Sequence, residues 1–189
     1  MSLIQAILLG ALQGATEFLP VSSSGHLVIT KELFGAAHVP VLFDVLLHVA
    51  TLVAVIIVLR EQVGAFLGAI ARVFRRATEE RDQPYLRLVP IIIVTTAITG
   101  AIGIGLDSAF DIRNPSITSA LFLFTAFLLV LTRWSRGKRQ LAGIRWADAA
   151  ILGVAQGFGV LPGISRSGIT ISTALYAGMD RKTAGEYSF

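Results

Sequence analysis

The sequence predicts an all-α polytopic membrane protein that contains an inverted-topology repeat, with two re-entrant helix hairpins meeting at a central site. Three observations lead to this prediction. Hydrophobic residues make up 54% of the 189 residues and charged residues 15%, which is far more apolar than a soluble domain of similar length. The chain also contains long uncharged segments, and one sequence motif occurs twice.

Three apolar segments have the length of membrane-spanning helices. Leu88 to Leu106 and Asn114 to Thr132 are each 19 residues without a charge. As helices they extend roughly 28 Å, close to the thickness of the hydrocarbon core of a bilayer. Val41 to Leu59 is similar but contains Asp44 and His48. We therefore expect three spanning helices.

A motif near the N-terminus recurs 143 positions later. Residues 10–30 read GALQGATEFLPVSSSGHLVIT, and residues 153–173 read GVAQGFGVLPGISRSGITIST. Each copy predicts an apolar helix, a proline break, and a polar loop of small residues that opens another helix. In the first copy the apolar helix is Leu3 to Leu19. The second helix begins at His26, extends to about Phe34 and is too short to span.

The number of spanning helices between the two copies sets their relative orientation. Three spans place the second copy at the opposite face of the membrane, so two re-entrant copies form an inverted repeat whose half-helix N-termini point at a shared polar site. If the copies instead cross the membrane fully, they form a parallel repeat. We favour the inverted arrangement, because a full crossing would leave Glu17 and the serines without polar partners in lipid.

The whole chain, residues 1–189, is expected to form a single membrane domain. Repeat one covers about 3–106 and repeat two about 115–189. The sequence stops where the second copy of the Val41 helix would be entered, which predicts that the C-terminal part of repeat two is truncated.

Basic residues predict the orientation of the chain. They are frequent in Arg60 to Arg87 and in Arg133 to Arg145, whereas the loop around Asp111 carries one. By the positive-inside rule the two basic loops are cytoplasmic and the Asp111 loop is outside. Within the first basic loop, Val63 to Val73 is expected to be a helix lying partly at the interface.

Composition also excludes several function classes. The net charge of +4 comes from loops between apolar segments, as in other membrane proteins, so no nucleic-acid partner is expected. The absence of cysteine excludes disulfides and thiolate metal sites. The sequence contains no P-loop, Rossmann glycine pattern or zinc-ligand spacing.

The first copy carries an acid and a histidine inside an otherwise apolar segment. A charge at membrane depth costs roughly 2.5 to 3.5 kcal/mol unless it is paired or solvated, so Glu17 needs a cationic neighbour. One alternative is that Arg166 is this neighbour, as a structural partner. The other is that Glu17 binds a metal ion or transfers a proton in a polar cavity. Gln13, one turn away, joins the same site or makes an interhelical hydrogen bond. His26 follows three serines and a glycine, where a helix N-terminus gathers phosphate oxygens and imidazole can act as acid, base or nucleophile.

The second copy has the composition of an anion site. Its PGISRSG segment, residues 162–168, combines glycines that let backbone amides approach a ligand, two serine hydroxyls and the guanidinium of Arg166, which matches phosphate bidentately. Such loops also serve to pack helices closely, but an arginine inside one favours phosphate. On the Val41 helix, His48 and Asp44 either reach the same cavity or hydrogen-bond to another helix.

Together these motifs closely resemble the bacterial undecaprenyl-diphosphatase family, the bacitracin-resistance phosphatases. The resemblance covers the whole chain and rests on QxxxE at residues 13–17, PVSSSGH at 20–26 and PGISRSGIT at 162–170, in the family's order. It implies a multi-pass enzyme of the bacterial plasma (inner) membrane. Such an enzyme removes the terminal phosphate of undecaprenyl diphosphate, a polyprenyl diphosphate lipid, and so recycles the carrier lipid for peptidoglycan synthesis.

The resemblance further implies an inverted repeat, an active site facing the outside, and a divalent cation, Mg²⁺ or Ca²⁺. Membrane lipids and a second copy of the chain, as a homodimer, are the partners it allows. A transporter of a lipid phosphate or anion is the alternative function, because inverted repeats with discontinuous helices are typical of transporters.

Site residues follow from matching the family's motifs to this sequence. The implied catalytic residues are His26, Glu17, Ser23 and Arg166. The implied phosphate-binding residues are Arg166, Ser165, Ser167, Gly163, Thr170, Ser22 and Ser24. Glu17 and Gln13 are the implied metal ligands, Gln13 standing where the family has Glu or Gln. Whether His26 or a neighbouring serine is the nucleophile stays open.

Overall fold

Nine α-helices form most of the chain in a computed structural model that describes residues 1–36, 38–109, 114–140 and 143–188. In order they are α1 (Leu3–Glu17), α2 (Ser23–Leu33), α3 (Val41–Val58), α4 (Arg60–Phe74), α5 (Gln83–Ala109), α6 (Pro115–Leu131), α7 (Trp146–Gly157), α8 (Arg166–Tyr176) and α9 (Arg181–Ser188). The predicted all-α class is confirmed.

Three of these helices, α3, α5 and α6, are long and apolar enough to cross a membrane. They coincide with the three predicted spans, and most of their apolar side chains face outward, as expected for surfaces in lipid. The chain is a membrane protein. Helix α4 covers the predicted interfacial segment. The loop around Asp111 lies outside the described residues, so the predicted orientation stays a prediction.

The sequence repeat is reproduced in the helix boundaries. Helices α2 and α8 are both 11 residues long and lie 143 positions apart. Ser22 caps α2 by accepting a 3.3 Å hydrogen bond from Gly25 N, and Ser165 caps α8 by accepting a 3.0 Å bond from Gly168 N. Because Ser22 completes the cap, α2 begins at Ser23, three residues before the predicted start at His26.

Helices α5 and α7 pack at close range. A Cβ on Gly153 would lie 2.9 Å from Ile98 Cβ, and one on Gly157 would lie 2.7 Å from Ile102 Cβ. Thr99 Oγ1 also donates a 3.1 Å hydrogen bond to Gly153 O across the interface. Small residues four apart, together with a hydroxyl bond, are a typical way for membrane helices to associate.

An ion pair lies where the segment after α6 meets α7 and α8. Arg139 binds both carboxylate oxygens of the buried Asp148, with distances of 2.7 and 2.9 Å, and donates to Ala177 O. Asp148 Oδ2 also accepts a 2.8 Å hydrogen bond from Arg145 N at the start of α7. The hydrogen bond from Arg139 is the main reason that the pKa of Asp148 is lowered. The pair ties the loop after α6 to the start of α7 and the end of α8.

Candidate active site

Two loops meet at the centre of the structure. Loop 1, residues 18–22, joins α1 to α2, and loop 2, residues 158–165, joins α7 to α8. Gly163 N donates a 3.0 Å hydrogen bond to Ser22 Oγ. A Cβ on Gly25 would lie 2.7 Å from Gly163 N, and a Cβ on Gly168 would lie 3.0 Å from Pro20 O.

These contacts are reciprocal. Gly168 is the repeat equivalent of Gly25, and Gly163 is the equivalent of Pro20, 143 positions on. Each copy therefore touches the other with the same two positions, as partners do across a twofold axis. Glycine is required at both Gly25 and Gly168, because any side chain would force the loops apart.

Helix α6 packs against loop 2. Gly163 has a φ of 98°, and a Cβ there would collide with Thr118 O. Thr125 Oγ1 donates a 2.7 Å hydrogen bond to Gly163 O and accepts a 3.2 Å bond from Ser165 N. Loop 2 is therefore fixed in a single conformation by backbone and hydroxyl contacts.

A cavity of about 650 Å³ lies beside both loops, within the size range of small-molecule sites. The first residues of α2 and α8 line it, so the unpaired backbone amides of two helix N-termini are directed toward one space. The remaining walls come from α3, α5 and α7. Apolar side chains that line the cavity are Leu52 and Val55 of α3, Ile104 of α5 and Val160 of loop 2.

Glu17 lies at the loop 1 side of the cavity and holds a serine. Ser23 Oγ donates a short hydrogen bond to Glu17 Oε2, and Gln13 Nε2 donates to the same oxygen at 2.9 Å. The Glu17 side chain is 19% exposed, and Ser23 is buried. A carboxylate in contact with a hydroxyl can take the hydroxyl proton, which is the arrangement of an activated nucleophile.

Arg166 lies at the loop 2 side. Its Nη2 is 4.0 Å from Glu17 Oε1, and its side chain is 66% exposed. The structure therefore brings the two predicted partners together, but at the outer limit of an ion pair, which leaves the guanidinium open to the cavity. Gly159 makes room for it, since a Cβ there would lie 2.9 Å from Arg166 Cα.

The other predicted phosphate ligands divide into two groups. Ser22, Ser24, Ser165 and Ser167 line the cavity. The Oγ atoms of Ser22 and Ser24 are 3.4 Å apart, and those of Ser165 and Ser167 are 3.3 Å apart. Gly163 and Thr170 are not among the described residues that line it. Thr170 is buried and donates a 2.7 Å hydrogen bond to Arg166 O, so it holds the first turn of α8.

His26 is turned away from this cavity. Its Nδ1 lies 2.9 Å from Ser22 O, and its ring packs edge-on against Phe122, with 4.8 Å between centroids. It is not among the described residues lining the cavity. The predicted chemistry of His26 stays a prediction, and its contacts are those of a residue that positions loop 1.

Several cavity residues were missing from the predicted set. Thr51 of α3 lines the cavity, as do Gln156 and Gly159 of the second copy. His48, for which a place at this cavity was one of two predicted outcomes, lines it as well. Gln156 is the equivalent of Gln13, so the sequence repeat contained the signal by which it could have been predicted. Gly159 matches Thr16, and nothing in the spacing indicated its role.

The oxygen atoms near Glu17 fit a divalent cation. Gln13 Oε1 is buried and lacks a hydrogen-bond partner among the described residues, and it lies one helical turn from the Glu17 carboxylate. The described residues contain no group of three or more His, Asp or Glu side chains placed to hold a metal. Mg²⁺ commonly binds through one or two protein groups plus substrate phosphates, so the pair suits a cation completed by a diphosphate.

Comparison with known proteins decides the family. The family model described as Bacitracin resistance protein BacA matches residues 6–189. The chain belongs to this family. The family predicted from the motifs is therefore confirmed.

Three relatives of the chain are each named undecaprenyl-diphosphatase. The Treponema denticola protein is 44% identical over 189 residues, which is 100% of this chain and 70% of the relative. The Desulfosudis oleivorans protein is 41% identical, covering 98% of this chain and 71% of the relative. The Carboxydothermus hydrogenoformans protein is 39% identical, covering 100% and 68%.

The BacA-family cavity combines groups that suit phosphoryl transfer. On one side the Ser23 hydroxyl is hydrogen-bonded to the Glu17 carboxylate, and on the other side Arg166 places a guanidinium. Two helix N-termini add backbone donors, and the apolar walls suit a hydrocarbon chain.

Proposed function

We propose that the chain hydrolyses undecaprenyl diphosphate to undecaprenyl phosphate and inorganic phosphate, recycling the carrier lipid for peptidoglycan synthesis. One observation carries the proposal: the Ser23–Glu17 pair, at the start of α2 and the end of α1, faces the same cavity as the Arg166 guanidinium at the start of α8. The names of the relatives supply the substrate, and the cavity supplies an anion site beside an apolar wall.

Ser23 is the nucleophile in this proposal. Its Oγ attacks the terminal phosphorus while Glu17 takes the hydroxyl proton. The bond between that phosphorus and the bridging oxygen breaks, and undecaprenyl phosphate leaves with the proton from Glu17, which restores the carboxylate. Water then attacks the phosphoserine with Glu17 as base, which returns Ser23 and releases phosphate.

Arg166 and the helix N-termini hold the charge that moves during these steps. The guanidinium and the first amides of α8 bind oxygens of the terminal phosphate, because both are oriented donors that need no rearrangement. Gly159 and Thr170 keep Arg166 in place. His26 keeps the first turn of α2 in place, through Ser22 O and Phe122.

A divalent cation, Mg²⁺ or Ca²⁺, completes the proposed site. Glu17 and Gln13 would hold it, through the carboxylate and the unpartnered amide oxygen. When bound, it offsets negative charge on the diphosphate.

The proposed setting is the bacterial inner membrane, with the active site facing outside. The reciprocal contacts of Gly25 and Gly168 support an inverted repeat with re-entrant hairpins, since a twofold axis in the membrane plane relates oppositely oriented copies. Helices α2 and α8, at 11 residues each, are too short to span, which supports the same arrangement. A homodimer in the bilayer is part of the proposal.

The transporter alternative is not favoured. A site that only carries a lipid phosphate needs the cationic loop but has no use for a serine bound to a carboxylate. Ser23 and Glu17 have this contact, and relatives of the chain are named as diphosphatases.

The test is phosphate release from a polyprenyl diphosphate by the purified protein in detergent. We expect Ser23→Ala and Glu17→Gln to lower kcat at least a hundredfold, and Arg166→Lys to raise KM as well. Ser119→Ala, which changes an exposed serine of α6, serves as the matched control and keeps full activity.

The covalent intermediate separates the two candidate nucleophiles. Rapid acid quenching with labelled substrate should trap phosphate on Ser23 as an acid-stable ester. An acid-labile adduct that vanishes in His26→Ala would overturn the serine assignment. Lipid transport without phosphate release would overturn the function.

A further inference from the structure

His48 is a titratable side chain of the cavity that the proposed mechanism leaves unused. It lies on α3, half-buried, and lines the same cavity as Glu17 and Arg166. Its Nδ1 lies 2.8 Å from Asp44 O. A carbonyl oxygen can only accept, so Nδ1 carries a hydrogen and Nε2 is the ring nitrogen left for a ligand.

The contacts around His48 hold the ring in place, and the charged side chains beside it form an ion pair with no net charge. The Asp44 carboxylate pairs with the buried Lys31 at 2.7 Å, so the two charges cancel beside the imidazole. Thr51, one turn further along α3, donates a 2.9 Å hydrogen bond from its Oγ1 to His48 O. The charged residues of α4 begin at Arg60, beyond the end of α3 and twelve residues after His48.

Helix α3 forms a wall whose polarity changes along its length. His48, Thr51, Leu52 and Val55 all line the cavity, and their spacing of three, four and seven residues places them on one helical face. The wall therefore runs from imidazole through hydroxyl to aliphatic side chains. A lipid diphosphate has the same sequence of polarity, from phosphate to hydrocarbon.

Apart from the proposed divalent cation, the described part of the cavity has few donors for the phosphate that stays on the lipid. Among the described residues that line it, Glu17 and Arg166 carry formal charges, and these sum to zero. A diphosphate brings at least two negative charges into this space. Arg166 and the helix amides can hold the terminal phosphate, but the phosphate attached to the lipid lies toward the apolar wall.

We propose that His48 contacts the substrate, its Nε2 hydrogen-bonding the phosphate that stays on the lipid. As imidazolium the ring donates from both nitrogens, to Asp44 O and to the phosphate oxygen. The inference rests on the proposed function for the identity of the ligand. In this arrangement helix α3 adds a third contact to a diphosphate that α2 and α8 already hold.

Two substitutions separate contact with substrate from a structural role. His48→Asn places an amide near the Nδ1 position and retains the bond to Asp44 O, but it does not reach the Nε2 position. His48→Gln places an amide nitrogen near the Nε2 position. We expect His48→Asn to raise KM for farnesyl diphosphate about tenfold and His48→Gln to recover most of that loss. Melting temperatures in detergent should stay close to that of the parent protein.

The reverse pattern overturns the proposal. If His48→Asn is as active as the parent protein, or if His48→Gln is the more impaired of the two, the ring is an anchor for α3 and does not contact substrate.

A binding measurement covers the case in which both variants are equally impaired. Methylenediphosphonate, which is not hydrolysed, should raise the melting temperature of the parent protein. A smaller shift in His48→Asn supports the contact, and an unchanged shift overturns it. This readout needs no turnover, so a parent protein that releases no phosphate refutes the proposed function without deciding the role of His48.

Discussion

Gln13 differs chemically at its two ends. Its amide nitrogen binds Glu17, while its amide oxygen is buried and without a hydrogen-bond partner among the described residues. Leaving such an oxygen unpaired costs about 1 to 3 kcal/mol. A bound cation would remove this cost, so the side chain fits the cation-bound state better than the cation-free state.

The substitution Gln13→Glu tests this assignment. It replaces a donor with a second carboxylate one turn from Glu17, so the cation-free protein should lose stability through repulsion and bind Mg²⁺ more tightly. We expect a lower melting temperature in EDTA and a larger rise on adding MgCl₂ than in the parent protein. Gln156→Glu, at the equivalent position of the second copy, is the matched control. An equal Mg²⁺ response in both variants would contradict a cation at Glu17.

Single residues of the site were predicted unevenly from the sequence. Glu17 and Arg166 stood out, because polar groups in an apolar segment must have partners, and Ser23 followed from the family resemblance. The structure brings all three together. The direction of His26 was not predictable from spacing. It depends on Phe122, a residue of α6 that is 96 positions away and fills the space beside the ring.

At the scale of elements, α7 carries glycines that α1 also has but uses differently. A Cβ on Gly157 would meet Ile102 of α5 at 2.7 Å, whereas a Cβ on the equivalent Gly14 would meet nothing within 4 Å. The sequence showed both glycines, but it did not show which of them faces a neighbouring helix.

The paired substitutions Gly157→Ala and Gly14→Ala should therefore diverge. Overpacking at Gly157 should cost about 1 to 3 kcal/mol, while Gly14→Ala should be neutral or slightly stabilising because alanine favours a helix. Thermal unfolding in detergent measures both. Equal melting temperatures would show that α5 and α7 can separate without loss.

The Arg139–Asp148 pair makes the stability of α7 and α8 depend on pH. The pKa of Asp148 is lowered in the folded protein, chiefly by the Arg139 hydrogen bond. The stabilisation is therefore complete above the unfolded pKa of about 3.9 and is lost as pH falls through the lower folded value.

Comparing the parent protein with Asp148→Asn isolates this contribution. At pH 7 the substitution should cost on the order of 2 kcal/mol, because a charged hydrogen bond is lost. The two melting temperatures should begin to converge below about pH 4 and should meet once the pH is below the lowered folded pKa of Asp148. A difference that stays constant down to pH 3 would mean that the pKa of Asp148 is not lowered in the folded state.

At the scale of the whole molecule, the two copies share a frame and differ in chemistry. Glu17 and Ser23 in the first copy correspond to Val160 and Arg166 in the second. All four residues line the cavity. An acid at position 160 would reach Arg166 as Glu17 reaches Ser23, so the apolar Val160 keeps the guanidinium available for phosphate.

Val160→Glu tests this asymmetry. The new carboxylate should pair with Arg166 and weaken substrate binding, raising KM about tenfold, which corresponds to about 1.4 kcal/mol. Val160→Gln has nearly the same size without the charge and should stay within about twofold of the parent protein. If both variants behave alike, the effect is one of volume rather than charge.

The repeat made much of the whole-molecule arrangement predictable. The 143-residue offset predicted that α2 and α8 are equivalent short helices, and the apolar segments predicted the three spans. The position of α3 beside the loops was not predictable, because Asp44 and His48 had equally good partners on any neighbouring helix. Lys31 turned out to be the partner of Asp44.

The contact between the two loops also has a consequence for biosynthesis. Ser22 and Gly163, which it joins, are 141 positions apart in the chain. At typical rates of synthesis, on the order of ten seconds pass between the two leaving the ribosome. During that interval Ser22 lacks the hydrogen bond from Gly163, and Glu17 lacks Arg166. Loop 1 therefore gains its final contacts only after loop 2 has been synthesised.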